Sequence, residues 1–437
     1  MRAAGLVVVT LVCGLAVGCA SPPEPHVSRP PGVVVPGVVS GGSAGAGASG
    51  GAQGSGGSGG KGSSGPAGSR GVVLLGGWAP GGARNPVAAG ARAYFRWLNA
   101  QGGVFGRGVD YRVLDDRGSL RVVPSLAHRL VQGDAVFAVF GSAGVPGTAV
   151  TGFLDSLGVP DVFVGTACAC VNAPARLPRV FGWPLGDVRE GKILGAYVAE
   201  HFTGMKVAVL FRPGRSGREA VAGFTAATRG VKVAARMVVA RPSQAAAGVR
   251  AAKAAGARVL VAFTAPGVTA RLAAEANGVP LVAGGAGLAD RLPDGVITDG
   301  FLPSAAAPAK SPAGSWVALF RRIRARYLPH SALSPEVIDG MASAYEMAAA
   351  MFRAGPQLTR PGLISALSAM PSGPVGAPLA YSATDHGGPQ GAYVGVIHRG
   401  VLVVGTGVLV TDTTRSGMVT VYRGNWKAAP ANGVPPH

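Results

Sequence analysis

Cysteine is scarce: four in 437 residues. Two of these, Cys13 and Cys19, sit in the first twenty residues, which leaves Cys168 and Cys170 for the remainder. That excludes a disulfide-stapled scaffold and a cysteine-rich metal fold. Acidic residues are outnumbered two to one, 20 Asp and Glu against 40 Lys and Arg, for a net charge of +20. A surplus this large raises the question of an anionic partner. The arginines are scattered, however. There is no basic run with interleaved aromatics, no zinc-finger spacing and no RNP-like strand, so nucleic acid is excluded. General Arg enrichment on a solvated surface accounts for the charge, with an anionic envelope or solute as the alternatives. Aromatic residues are only 6% of the chain. The seven histidines are isolated, with no HExxH and no pairing at metal spacing. A GxxxxGK[ST] loop, a Rossmann glycine fingerprint and a GxSxG elbow are all missing. Asp115 and Asp116 are adjacent, so they point to different sides and make a poor acid–base pair; they read as solvated groups at a strand end. Neither a cofactor nor a metal is called for, and catalysis is not expected.

Long hydrophobic runs are also lacking, with one exception. Met1–Arg2 supplies a short positive region, and Leu6–Val17 is apolar but too short for a permanent span. The run ends Leu15-Ala16-Val17-Gly18-Cys19. This resembles a bacterial lipobox, in which the cysteine becomes the lipidated first residue, although Ala16 stands where Leu is usual. An ordinary secretory signal with an incidental cysteine is the other reading. The polar, Pro-rich sequence directly after Cys19 favours lipidation, and with it a cell-membrane anchor on the extracytoplasmic face. Residues 20–70 show no apolar period and are dominated by Gly, Ser, Pro and Ala. Such a segment cannot bury enough surface to offset its ordering entropy, so a disordered tether is expected, with an r.m.s. reach of about 40 Å.

The remaining chain is apolar enough for two ordinary domains. Val72–Leu75 is a short β-branched run followed by a Gly/Pro/Ala loop, Gly76–Arg84. Asn85 is a good helix N-cap and Pro86 a good first helical residue. Val87, Ala91, Tyr94, Phe95 and Leu98 then recur at helical spacing, and Gly102–Gly103 stops the helix. A strand over Val109–Leu114 closes a strand–loop–helix–strand unit. The loop lies at the carboxyl end of its strand, where open α/β sheets bind ligands. A helix over Val122–Val131, a strand Ala135–Phe140, a helix Ala149–Leu157 and a strand Val159–Val164 follow. Three of these strands, Val72–Leu75, Ala135–Phe140 and Val159–Val164, each deliver a small-residue loop to the same edge: Gly76–Arg84, Gly141–Thr148 and Gly165–Cys170. Such loops expose backbone N–H groups, suited to a carboxylate or another polar head. Taken singly, each is equally a tight turn.

The stretch GARAYFRWLNAQGGVFGR, Gly90–Arg107, resembles the first helix and turn of the substrate-binding proteins of branched-chain amino-acid ABC importers. The similarity continues to about Val410. It implies the type I periplasmic-binding fold: two Rossmann-like α/β lobes with parallel sheets, joined by three crossover segments, with solute held in the cleft. The crossings match Phe181–Asp187, Phe301–Pro303 and Leu379–Gln390. Lobe 1 is then 71–185 with 302–386, lobe 2 is 186–301 with 387–426, and 427–437 is a tail expected to be disordered. In lobe 2, strands over Lys206–Phe211, Val231–Val238 and Arg258–Phe263 alternate with helices over Arg218–Thr228, Ser243–Ala255 and Val268–Asn277. Helices Ala313–Tyr327 and Pro335–Arg353 return to lobe 1, and strands Gly391–His398 and Val401–Val404 finish lobe 2.

The resemblance also assigns a site. Loops Gly141–Thr148 and Gly165–Ala167 hold the ligand carboxylate through backbone N–H and hydroxyl groups. Ser142, Ala143, Gly144, Thr148, Gly165, Thr166 and Ala167 are the candidates. Ser216 stands where an aromatic ligand contact is common, and Thr264 lies near another. Trp78 substitutes for the family's aromatic cap. Asp385-His386-Gly387 resembles a turn that closes the hinge; His386 is a hinge or cleft residue, or a surface turn histidine. The family's acidic partner for a ligand ammonium is missing from the matching stretch Ala283–Gly287, unless Asp290 or Asp385 folds back. A buried ammonium without a carboxylate is costly, so leucine should bind weakly or not at all. Cys168 and Cys170, with a single residue between them, suit a small-ring disulfide in an oxidising compartment; free thiols and half a metal site are the alternatives. The implied role is a monomeric, lipid-anchored solute-binding protein that presents a small polar metabolite to an ABC permease. A sensory or scaffolding envelope receptor on the same fold is the alternative, and an envelope hydrolase is disfavoured by the missing nucleophile and metal motifs.

Overall fold

The computed structural model describes residues 71–144, 148–285, 292–370, 373–379, 381–424 and 426–436. Cys19, the tether, Asp290 and the Thr148 side chain lie outside that description.

The chain opens with β1 (Val72–Ala79), α1 (Pro86–Ala100), β2 (Gly108–Asp115), α2 (Val123–His128), β3 (Ala138–Phe140), α3 (Thr148–Ser156), β4 (Asp161–Val164) and β5 (Val180–Gly182). The strands make one parallel sheet in the order β2-β1-β3-β4-β5. Next come α4 (Asp187–His201), β6 (Lys206–Phe211), α5 (Gly214–Ala227), β7 (Lys232–Val238), α6 (Ala245–Ala254), β8 (Val259–Phe263), α7 (Pro266–Ala276), β9 (Leu281–Ala283) and β10 (Ile297–Gly300). Helices α8 (Pro312–Tyr327), α9 (Pro335–Arg353) and α10 (Arg360–Leu367) follow, then β11 (Gly391–His398), β12 (Val401–Val404), β13 (Leu409–Thr411) and β14 (Val419–Val421). The second sheet runs β14-β13-β11-β10-β9-β8-β6-β7, with β12 paired to β11. Strands β6 to β10 are parallel, and β11 enters antiparallel to β10.

Local chemistry explains the elements. The Asn85 side chain accepts from the Val87 and Ala88 N–H groups, and Pro86 takes the first helical position of α1. Strand β8, Val-Leu-Val-Ala-Phe, is buried at every position, as a parallel strand covered on both faces must be. Helix α9 is buried almost throughout and packs beside α1 under the first sheet. Helix α4 packs on α5 under the second.

Several expected boundaries move. β1 continues through Gly76-Gly77-Trp78-Ala79, where a loop was expected, because a side chain at Gly76 would meet Val136 and Leu130, and one at Gly77 the Phe140 carbonyl. Helix α5 starts at Gly214, four residues before the expected Arg218. Strands β5, β9, β10, β13 and β14 carry three or four residues each, too few to show a period, and were not expected. Helix α10 was also missed; a Pro at its second position and a Thr359 cap start it. The tail after Lys427 is packed, not disordered. Trp316 Nε1 donates to the Lys427 carbonyl at 2.8 Å, Trp97 Nε1 to Asn432 at 2.9 Å and the Tyr94 hydroxyl to Gly433 at 2.9 Å. These backbone acceptors carry no hydrophobic pattern, so nothing in the tail's composition signals them.

Candidate functional site

The two sheets present the carboxyl ends of β1, β3 and β4 on one side and of β6, β8 and β9 on the other. On the first side, Ala143 N–H donates to the Trp78 carbonyl at 2.9 Å and Gly165 N–H to the Ser142 carbonyl at 2.8 Å. A parallel bridge joins Ala143 to Gly165. The loops are therefore zipped as short extensions of the sheet. Trp78 is fully buried among Val123, Ala127 and Leu130, so it does not cap the cleft; its indole N–H instead holds the Ala143 carbonyl at 3.1 Å. Ser142 is also fully buried, and its hydroxyl donates to Asp161 at 2.9 Å. Burial pushes the Asp161 carboxyl up to about 7, and the Ser142 hydroxyl only partly offsets that. Gly144 is half-buried. Thr166 N–H donates to Val164, while its hydroxyl accepts from Cys168 N–H at 3.3 Å. The Ala167 carbonyl accepts from Asp187 N–H at 2.9 Å, tying this loop to the start of α4. Cys168 and Cys170 are joined by a disulfide around Ala169.

On the second side, Ser216 belongs to a charged network. Its hydroxyl donates to Asp187 at 2.5 Å and accepts from Arg212 Nε at 2.8 Å, and Arg212 Nη2 pairs with Asp187. Asp187 is fully buried, while the Arg212 side chain is 32% exposed. Burial raises the Asp187 carboxyl; Arg212 and Ser216 pull it back down. Thr264 is buried and shares a hydrogen bond of 2.7 Å with Thr269. The next turn of α5 carries Glu219. Its Oε2 accepts from Ala169 N–H at 3.0 Å, and its Oε1 pairs with Arg215 at 2.6 Å. This is a direct bond from the second lobe to the disulfide loop of the first. The space left between Thr166, Ala167, Cys168, Asp187, Arg189 and Gly387 is about 20 Å³, enough for about one water. A larger void of about 230 Å³ lies under the second crossing, walled by Phe301, Leu302, Leu333, Ile338 and Leu402, and shares no residue with these loops.

The hinge is built from α4, whose first six residues, Asp187-Val188-Arg189-Glu190-Gly191-Lys192, bury four charges. Arg189 pairs with Asp385 and donates to the Gly387 and Thr411 carbonyls. Lys192 donates to Asp412 at 2.6 Å. Glu190 lies against Gly284, so a carboxylate borders the stretch that carries no acidic residue of its own. Asn172 donates to Asp385 at 2.9 Å and accepts from His386 N–H at 2.6 Å. His386 is buried, stacks on Phe181 at 4.1 Å and bonds the Val180 carbonyl through Nδ1, so it is a hinge residue and not a surface turn. Burial lowers its pKa. Asp385 is committed to Arg189 and Asn172 and does not fold back as an ammonium partner. Asp116 is buried rather than solvated, and Asp115 accepts from Gly81 and Arg117 N–H groups, which lowers its pKa. Sequence reasoning missed Asp187, Arg212, Glu219 and Arg189. The run of charges Asp187–Lys192, unusual directly after a crossing, was the available signal.

Residues 75–400 match the family model described as periplasmic binding protein. The chain belongs to the periplasmic binding protein family. No curated protein matches in sequence. Among solved structures, a branched-chain amino-acid ABC transporter protein from Thermus thermophilus with bound valine is 17% identical, with a TM-score of 0.67 over 79% of this chain and 98% of that one. A fatty acid ABC transporter substrate-binding protein from Thermomonospora curvata is 17% identical, with a TM-score of 0.63 over 80% and 95%. An ABC transporter solute-binding protein from R. palustris in complex with benzoate is 18% identical, with a TM-score of 0.60 over 81% and 99%. These likenesses establish the type I fold, two α/β lobes with parallel sheets, and the family is extracytoplasmic. Among the described residues of this periplasmic binding protein, no helix is long and apolar enough to cross a membrane, and no group of three or more His, Cys, Asp or Glu could hold a metal.

Proposed function

We propose that this protein is the lipid-anchored solute-binding component of an ABC importer, a monomer held on the extracytoplasmic face through Cys19. It captures a small carboxylic acid between its lobes and presents the closed form to a membrane permease, with no chemistry on the solute. The lobes move as 71–185 with 302–386 against 186–301 with 387–426. The observation that carries this reading is the meeting of the two lobes at the disulfide loop, where Ala169 N–H bonds Glu219 of α5, with Arg212 bonded to Ser216 one turn earlier. Arg212, held by Asp187 and Ser216 but still partly exposed, gives the cleft a fixed cation for an acid head. The structural relatives carry valine, a fatty acid and benzoate in their descriptions, and a carboxylate is the group those three share. Thr166, Ala167 and the Gly141–Thr148 loop are the first-lobe contacts in this reading. Calorimetric titration of benzoate, octanoate and leucine into the purified protein tests it. The expected result is binding of an acid without an ammonium group and weak or no binding of leucine. Micromolar binding of leucine would show that Glu190 or another carboxylate serves an ammonium. For the anchor, Cys19→Ser should move the protein out of the detergent phase.

A further inference from the structure

The contact between Glu219 and Ala169 joins two lobes that solute binding is expected to bring together. It is made by the protein's own carboxylate. The donor belongs to the loop that the disulfide closes into a small ring, which fixes the backbone at Ala169. The acceptor is 15% exposed and oriented by Arg215 through its other oxygen. Asp187 lies close enough to interact with it and is itself held by Arg212 and Ser216, so each of the two acids, Glu219 and Asp187, has its own arginine. The space between the disulfide loop and Asp187 has room for about one water. A carboxylate already sits where a solute acid would meet a first-lobe N–H and a second-lobe arginine.

We propose that Glu219 is an internal occupant of the cleft: its carboxylate latches the lobes together in the absence of solute, and a solute acid enters by displacing it. Resting on the cleft reading above, this adds how the site is regulated and which residue sets its selectivity. The solute must bring a carboxylate or similar small oxyanion to replace Glu219 at Ala169 N–H and Arg215, with Arg212 one turn earlier as the second cation. Displaced Glu219 turns to solvent on the exposed start of α5. Removing it leaves the face with one net positive charge and an uncapped donor.

Hydrogen exchange followed by mass spectrometry on the full chain reads the latch with no solute and no permease, so it fails independently of the transport reading. In Glu219→Ala the peptide covering 165–171 should exchange ~10-fold faster than wild type, as expected for loss of a charge-assisted bond, with Glu219→Gln in between. Circular dichroism confirms that both variants fold. Unchanged exchange in Glu219→Ala overturns the latch. Benzoate titrated into the same proteins reads the displacement. Binding should tighten ~10-fold in Glu219→Ala. Equal affinity, or no binding to either protein, overturns the displacement.

Discussion

Asp161 shows how much of the site rests on groups that never reach it. The carboxyl lies beneath the loop at Ser142, fully buried and raised to about 7 from 3.8. Below about pH 4 it is protonated in both folded and unfolded chains. Between about 4 and 7 the fold keeps a proton that the unfolded chain releases, so this group's contribution to stability falls as pH rises across that window. The full effect is on the order of 4 kcal/mol at most. Asp161→Asn should flatten the pH dependence of the urea midpoint between pH 4 and 7, and an unchanged slope would assign that dependence elsewhere. At this scale the sequence was a weak guide. Small-residue loops were visible, but Trp78, Ser142 and Thr264 are the same residue types whether they face a cleft or a core. Only their neighbours, Val123, Asp161 and Thr269, decide, and those lie far away or on the far side of a turn. Arg212 looked like one more charge in a loop after β6, and Glu219 like one more on a helix.

At the scale of elements, glycine sets the helix packing in both lobes. A side chain at Gly90 would strike the Val337 carbonyl, and one at Gly340 the Val87 carbonyl, so α1 and α9 cross backbone to backbone. In the second lobe Gly191 meets the Ala220 carbonyl and Gly223 the Val188 carbonyl, which brings α4 and α5 equally close. Gly340→Ala should therefore cost about 1–3 kcal/mol by overpacking, although alanine is the better helix former. Loss of the α1 cap in Asn85→Ala should cost about 1 kcal/mol. Thermal unfolding compares them, and the reverse order would contradict the close crossing. Elements of this kind were the most legible part of the chain. Capped, periodic α1 and α9 and the continuous apolar strands β6 and β8 could be placed from sequence. Of the three-residue strands only β3, inside the apolar run Ala135–Phe140, could be placed; β5, β9, β13 and β14 could not, because their pairing is supplied by neighbours.

Across the whole molecule the hinge is electrostatic. Arg189, 2% exposed at its side chain, ties α4 to Asp385 and the Gly387 carbonyl within the third crossing and to the Thr411 carbonyl beyond it. Lysine cannot reproduce that fork. Arg189→Lys should destabilise the fold, and Arg189→Ala more so, by about 3–5 kcal/mol, since Asp385 loses its buried partner. Denaturant titration gives the ranking. The lobed architecture and its three crossings were legible through the resemblance, whereas the charges that lock them were not, because partners such as Arg189 and Asp385 are separated by nearly two hundred residues.

The packed carboxyl end alters the mechanics of that hinge. Strand β14 ends in the second sheet, where Tyr422 N–H still bonds the Val408 carbonyl, and five residues later Lys427 is held by Trp316 in the first lobe. The chain thus returns across the gap once more, as a short cable beside the three crossings. At ~3.6 Å per residue it can span about 18 Å when taut, so under the lobe closure proposed above it would set a stop on how far the jaws swing apart. Cutting the cable, by ending the chain at residue 426, should lengthen that stroke, and scattering without solute should show a larger radius than for the full chain.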